Sequence, residues 1–177
     1  MDPYEHEHTG VLELSWQQVG DILRSMAVSI GKDWRPDIVI GIAKGGVVAG
    51  VLLGSAFMVD FFPIKLSSRH NEQIIMDDPE WYVYPTAHVK GKKVLVVDDI
   101  CIAGRTFSKA VDELKRTGAT EIRTASIAVH SDSIRPDYVG LVTDDCVVWP
   151  WDRDVLTKDG DWEINYEYLI EINRSCH

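Results

Sequence analysis

Positive charge is what this chain has least of. Its 177 residues carry 18 Lys and Arg against 28 Asp and Glu, a formal net charge of −10, with a pI near 4.9. A surface that acidic argues against bulk nucleic-acid binding, which needs a basic face, and against docking on an anionic membrane. Any anionic ligand must therefore be held locally, by backbone amides, a few cations or a metal. Long apolar runs are also missing. None reaches the roughly 18 residues of a membrane span, and the polar start, Met1 to His8, lacks the form of a signal peptide. Cysteine is scarce. Cys101, Cys146 and Cys176 are odd in number and lack metal-ligand spacing, which predicts reduced thiols in a cytoplasmic protein. Neither a G-x-G-x-x-G fingerprint nor a Walker loop is present, which argues against a dehydrogenase or a P-loop kinase.

What remains is ordinary for a globular domain: 45% hydrophobic and 26% charged residues, enough for one domain with a proper core. Ser15-Trp16-Gln17-Gln18 has the form of a capping box. Trp16, Val19, Leu23, Met26 and Ile30 then recur at helical spacing, closing near Gly31. Residues 37–42 predict a buried strand and 47–57 a close-packed helix. Residues 59–66 predict a strand nearer an edge, because Pro63 interrupts it. Residues 67–90 predict a long loop or hairpin. Further strands are expected over 93–97, 122–129, 138–142 and 146–149, with a helix over 107–116 stopped by Gly118. Strand and helix signals alternate from residue 15 to about 130. The expected fold class is α/β, a mostly parallel sheet with helices on both faces. The expected organisation is a disordered tail over 1–10, with His6 and His8 either solvated or metal-binding, a core over about 35–130 and a small C-terminal hood over about 131–177.

One run concentrates the chemistry. Val94 to Val97 is apolar, Asp98 and Asp99 follow, and Ile100 to Gly104 lead to a helix starting near Arg105 or Thr106. Ligands of open α/β sheets bind beyond the carboxyl ends of strands, and a helix N-terminus suits a phosphate. Two acids beside such a site can hold sugar hydroxyls or hydrated Mg²⁺. A second candidate is Gly41 to Gly46, where glycines let backbone approach a ligand and Lys44 offers a point charge.

The acidic run resembles the phosphoribosyl-pyrophosphate (PRPP) motif of type I phosphoribosyltransferases, and Lys44-Gly45-Gly46 is similar to their pyrophosphate loop. Ser67-Ser68-Arg69-His70-Asn71 resembles the start of the mobile catalytic loop in the xanthine-guanine group. Pro150-Trp151-Asp152 resembles the base-binding region of the 6-oxopurine enzymes. The resemblance covers residues 35–155. It implies a phosphoribosyltransferase core and transfer of ribose 5-phosphate from PRPP to a nucleobase, expected to be a purine, with Mg²⁺ and as a homodimer. Asp98 and Asp99 would hold the ribose hydroxyls, directly or through Mg²⁺-bound water. Ile102, Ala103, Gly104, Arg105 and Thr106 would wrap the 5-phosphate. Lys44, Gly45, Gly46 and Arg69 would hold pyrophosphate, and His130, Cys146 and Val147 would face the base.

Three departures concern the base. Ile102 stands where those enzymes carry a proton-moving Asp, His130 where a Lys reads the exocyclic oxygen, and Cys146 where an aromatic stacks on the purine. A charge-assisted hydrogen bond is worth about 1.5–3 kcal/mol, and general acid/base help about 10²–10⁴-fold. A different base is expected, or else a PRPP-binding regulator without turnover on the same fold.

Overall fold

The structure, a computed structural model, describes residues 9–67, 69–70, 73–74 and 79–175. The tail with His6 and His8, the residues Ser68 and Asn71, and Cys176 lie outside the described residues. In chain order, β1 (Val11–Glu13) leads into α1 (Trp16–Asp33), β2 (Ile38–Ile42), α2 (Gly45–Phe57) and β3 (Asp60–Ser67). One short pair, β4 (Arg69–His70) with β5 (Gln73–Ile74), precedes β6 (Glu80–Val83) and a 3₁₀ turn at Ala87–Val89. Then come β7 (Lys93–Cys101), α3 (Arg105–Thr117), β8 (Glu121–Val129) and β9 (Tyr138–Val142). The chain ends in β10 (Cys146–Val148), β11 (Asp154–Leu156), β12 (Trp162–Ile164) and α4 (Tyr166–Ser175).

Six strands form the main sheet in the order β6-β3-β2-β7-β8-β9. All pairings are parallel except β3 with β6. Every residue of β2 is buried, as befits a parallel strand covered on both faces. One face packs Val39, Leu95, Val97 and Ile127 against α1 and α2 residues such as Leu23, Ile30 and Leu53. The other packs Ile40, Val94 and Val96 against Phe107, Ala110 and Leu114 of α3.

The local signals act as expected. Ser15 caps α1 through the Gln18 amide, with both halves of the box present. Gly118 ends α3 at φ 97°, the left-handed conformation of a helix stop. Pro63 is tolerated because Asp60–Ile64 pair only with β2, while β6 pairs only from Lys65 onward. β3 is therefore second from the edge, with an open flank where the missing N–H has no partner to disappoint.

Three boundaries differ from expectation. β7 does not stop at Val97. It continues through both acids to Cys101, because β8 carries the ladder on through Ser126, Ala128 and Val129. The main sheet extends to β9, past the expected core limit near residue 130. The hood is not purely C-terminal: β1 pairs in parallel with β10, and Thr9 donates to the Asp144 carbonyl at 3.1 Å. Trp151 clasps the hood onto α1, stacked on Trp149 at 4.9 Å and tilted against Trp16 at 5.9 Å.

Candidate active site

The acid pair and the glycine turn come from strands that are neighbours in the sheet. Their spacing is closer than any side chain permits. A Cβ on Gly45 would lie 1.7 Å from Asp99 Oδ2, and one on Gly46 would lie 2.4 Å from the Val97 carbonyl oxygen. The glycines of the turn are thus required by the acid pair that faces them. Gly45 opens α2 with no side-chain cap, so its first N–H groups are presented to an anion. The Ala43–Lys44 peptide bond is cis. Lys44 is exposed, and its Nζ lies 3.7 Å from Asp152 Oδ1.

Asp98 and Asp99 are half-buried. Asp98 Oδ1 accepts from the Asp99 N–H at 3.0 Å and Asp99 Oδ1 from the Ile100 N–H at 2.8 Å. Burial pushes the Asp98 carboxyl well above the usual range, and the charge of Asp99 pushes it further. Burial also raises Asp99, with backbone hydrogen bonding opposing. A desolvated acid pair of this kind is incomplete alone: a cation or hydroxyl donors would stabilise its charge. Among the described residues no group of three or more His, Cys, Asp or Glu could cage a metal. Two carboxylates fit hydrated Mg²⁺, which keeps most of its waters and is completed by substrate phosphates.

The 5-phosphate candidates, Ile102 to Thr106, wrap the start of α3. Gly104 sits at φ 71° and precedes the helix, a conformation that disfavours any Cβ. A Cβ there would also meet Ile134 Cβ at 3.1 Å. The 131–137 loop is latched to the same place, since Cys101 Sγ lies 3.3 Å from Ser133 Oγ and 3.4 Å from the Ile134 carbonyl oxygen.

The base-facing candidates are arranged differently. His130 is 1% exposed, with Nδ1 4.0 Å from Asp144 Oδ1. Cys146 is 8% exposed and Val147 5%, both in the hood strand paired to β1. The Val147 side chain belongs to the core. The structure therefore brings Gly45 and Gly46 against Asp98 and Asp99, turns the Lys44 ammonium to Asp152, sets residues 102–106 at the start of α3, and buries His130, Cys146 and Val147. The backbone of Arg69 is in β4, and its side chain lies outside the described residues. Sequence reasoning missed Asp152 as the partner of Lys44. Asn165, a potential cap ahead of Tyr166, was the available signal for the last helix.

Residues 14–157 match the phosphoribosyl transferase domain family. The chain belongs to this family. Adenine phosphoribosyltransferase of Campylobacter hominis is 27% identical over 108 residues, covering 56% of this chain and 59% of that protein. The transcriptional regulator GfcR of Methanococcoides burtonii is 27% identical over 110 residues, covering 60% and 50%. The chain spans about half the length of the curated relatives it matches. The crystal structure of a purine phosphoribosyltransferase from Pyrococcus horikoshii superposes with a TM-score of 0.71 at 28% identity, covering 80% of this chain and 93% of that one. The α/β core is thus the type I phosphoribosyltransferase fold, and the acid run and glycine turn lie inside the matched region. Among the described residues no helix is long and apolar enough to cross a membrane.

Proposed function

We propose that the protein transfers ribose 5-phosphate from PRPP to a ring nitrogen of a purine, releasing pyrophosphate. The observation that carries this is the fit of Gly45 against the Asp99 carboxylate, which joins an anion-binding turn to an acid pair at one point. Similarity to adenine and purine phosphoribosyltransferases supports the substrate class.

In this reaction the bond from the sugar C1 to pyrophosphate breaks, the bond from C1 to the base nitrogen forms, and the nitrogen's proton passes to water or to the released pyrophosphate. The transition state resembles an oxocarbenium ion, so catalysis rests on positioning and charge. Asp98 and Asp99 hold the ribose hydroxyls. Ile102, Ala103, Gly104, Arg105 and Thr106 hold the 5-phosphate through backbone N–H groups and the Thr106 hydroxyl. Lys44, Gly45 and Gly46 hold pyrophosphate, with Arg69 closing over it. His130, Cys146 and Val147 border the base. Asp98 and Asp99 would hold Mg²⁺ through water, and the ion would supply positive charge to the pyrophosphate when bound. Two further features fit. Residues 45–57 of α2 contain no charged residue while Val51 is 49% exposed, which suits a second copy in a homodimer. Cys101 and Cys146 form no disulfide, which suits the cytoplasm.

A PRPP-binding regulator without turnover is the second reading. Ile102 cannot move a proton, and the similarity to GfcR favours it. Pyrophosphate release from PRPP and Mg²⁺ across adenine, guanine, hypoxanthine, xanthine, uracil and orotate separates the two. Release with a purine is expected. Tight PRPP binding without release identifies the regulator, and absence of PRPP binding sinks both. Asp98→Asn with Asp99→Asn is expected to abolish PRPP binding while leaving the circular-dichroism spectrum intact.

A further inference from the structure

The loop of residues 131–137 joins β8 to β9, and hydrogen bonds tie it down at three places. At its start the Ser131 N–H donates to Asp144 Oδ1 at 2.9 Å. At its end Asp137 Oδ2 accepts from the Thr124 N–H at 2.7 Å and from the Thr124 hydroxyl at 2.9 Å. The middle tie comes from the acid run itself. Cys101, the last residue of β7, is 3% exposed, and its thiol donates to the Ile134 carbonyl at 3.4 Å. A thiol has one proton, so the Ser133 hydroxyl, 3.3 Å from the sulfur and 3.2 Å from the same carbonyl, is a donor to either one.

That tie sets Ile134 over Gly104. The Cβ, Cγ2 and Cδ1 of Ile134 stand 3.1, 3.7 and 3.7 Å from the point that a Cβ on Gly104 would occupy. Gly104 is the left-handed residue just before α3. Elsewhere the loop stands off the helix. A groove of about 260 Å³, lined by Phe107, Val111, Thr124, Arg135 and Pro136, lies between them, and Ile134 itself is 74% exposed. With a groove beneath it the middle of the loop has little packing to hold it, so the bonds to Cys101 set where Ile134 lies.

We propose that the 131–137 loop is a brace for the 5-phosphate turn, and that Cys101 and Ile134 are its positioning residues. Both act through Gly104 and not on the ligand. The thiol holds the loop, Ile134 bears on Gly104, and Gly104 sets the direction of the first N–H groups of α3, which have no partner within the helix. The proposal rests on the assignment of residues 102–106 to the 5-phosphate and adds to it what holds those residues in place.

The test compares two probes by calorimetry on the full chain with Mg²⁺. Ribose 5-phosphate reports the turn before α3, and pyrophosphate reports the Lys44-Gly45-Gly46 turn. Cys101→Val keeps a small apolar side chain in the core and removes the thiol tie. It should weaken ribose 5-phosphate by about three- to tenfold, the order of one or two neutral hydrogen bonds, and leave pyrophosphate unchanged. Cys101→Ser keeps a donor and should restore most of the lost affinity. Ile134→Ala, at an exposed loop position, should show the same selective loss, and it carries the test should the valine variant not fold. Native-like ribose 5-phosphate binding by either folded variant, equal weakening of both probes, or a serine variant as weak as the valine one overturns the brace. Failure of the native chain to bind both ribose 5-phosphate and PRPP overturns the site assignment on which the brace rests, a result read on the native chain alone.

Discussion

The phosphate half of the site and the hood half are built on opposite plans. The proposed phosphate half comes from the carboxyl-terminal part of β7, from the start of α2 after the neighbouring parallel strand β2, and from the turn into α3. Its geometry is enforced by contact: Gly45 and Gly46 lie where no Cβ fits. The hood half is assembled from distant segments, residues 9–14, 143–152 and α4, joined by the β1–β10 ladder, the Trp16–Trp151–Trp149 stack and the Asn165–Asp152 bond. The first plan leaves little room for change. The second is held by contacts between separate segments, so residues such as Cys146 can change without moving the glycine turn or the acid pair.

If the phosphate half is as rigid as this, one methyl group should break it. Gly45→Ala carries the largest expected effect of these changes. Its Cβ would fall inside the Asp99 carboxylate, so loss of PRPP binding is expected together with about 1–3 kcal/mol of stability, the usual cost of overpacking. Titration with PRPP and urea denaturation measure both. Native-like PRPP affinity would mean that the turn and the acid pair are not mutually fixed.

A smaller effect is expected at Gly104. Alanine there must adopt φ 71° and meet Ile134. A left-handed residue costs about 1–2 kcal/mol, so affinity for ribose 5-phosphate should drop while the hood and its tryptophan fluorescence stay unchanged. A fluorescence change would show that the 131–137 loop couples the two halves.

The smallest effect is a pH dependence of the ligand-free protein. The folded state raises the Asp98 carboxyl, chiefly by burial, so it binds more protons than the unfolded chain. Stability from this group is then full below the ordinary carboxylate pKa, about 3.9. It falls as pH rises through the raised value and is level above it. Other carboxylates act in the opposite sense: Asp33, hydrogen-bonded by Tyr138 and Arg123, is lowered. The informative quantity is therefore the difference in Tm between Asp98→Asn and native protein. It should grow in favour of the variant as pH rises through that window. A flat difference would mean that the acid pair is not desolvated.

Much of the molecule was legible before any coordinates. The capping box at Ser15, the Gly118 stop and the strands expected over 37–42 and 122–129 follow from short-range rules, and the structure has them within a residue at their ends. The acid run and the Lys44-Gly45-Gly46 turn were legible as separate anion-binding features, because each sits wholly within one strand–loop–helix unit. The continuation of β7 to Cys101 was not, since it depends on the length of β8. The pairing of β1 with β10 was not either, because Val11 and Cys146 are far apart in the chain.

The sequence by itself determined α1, β2, α2 and α3 and the mostly parallel α/β class, because helix caps, apolar periodicity and glycine turns act over a few residues. Only the tertiary structure decided that Gly45 must be glycine, that β1 completes the hood and that β7 runs on through the acids to Cys101. Those three depend on contacts between residues far apart in the chain, and such contacts are set by packing.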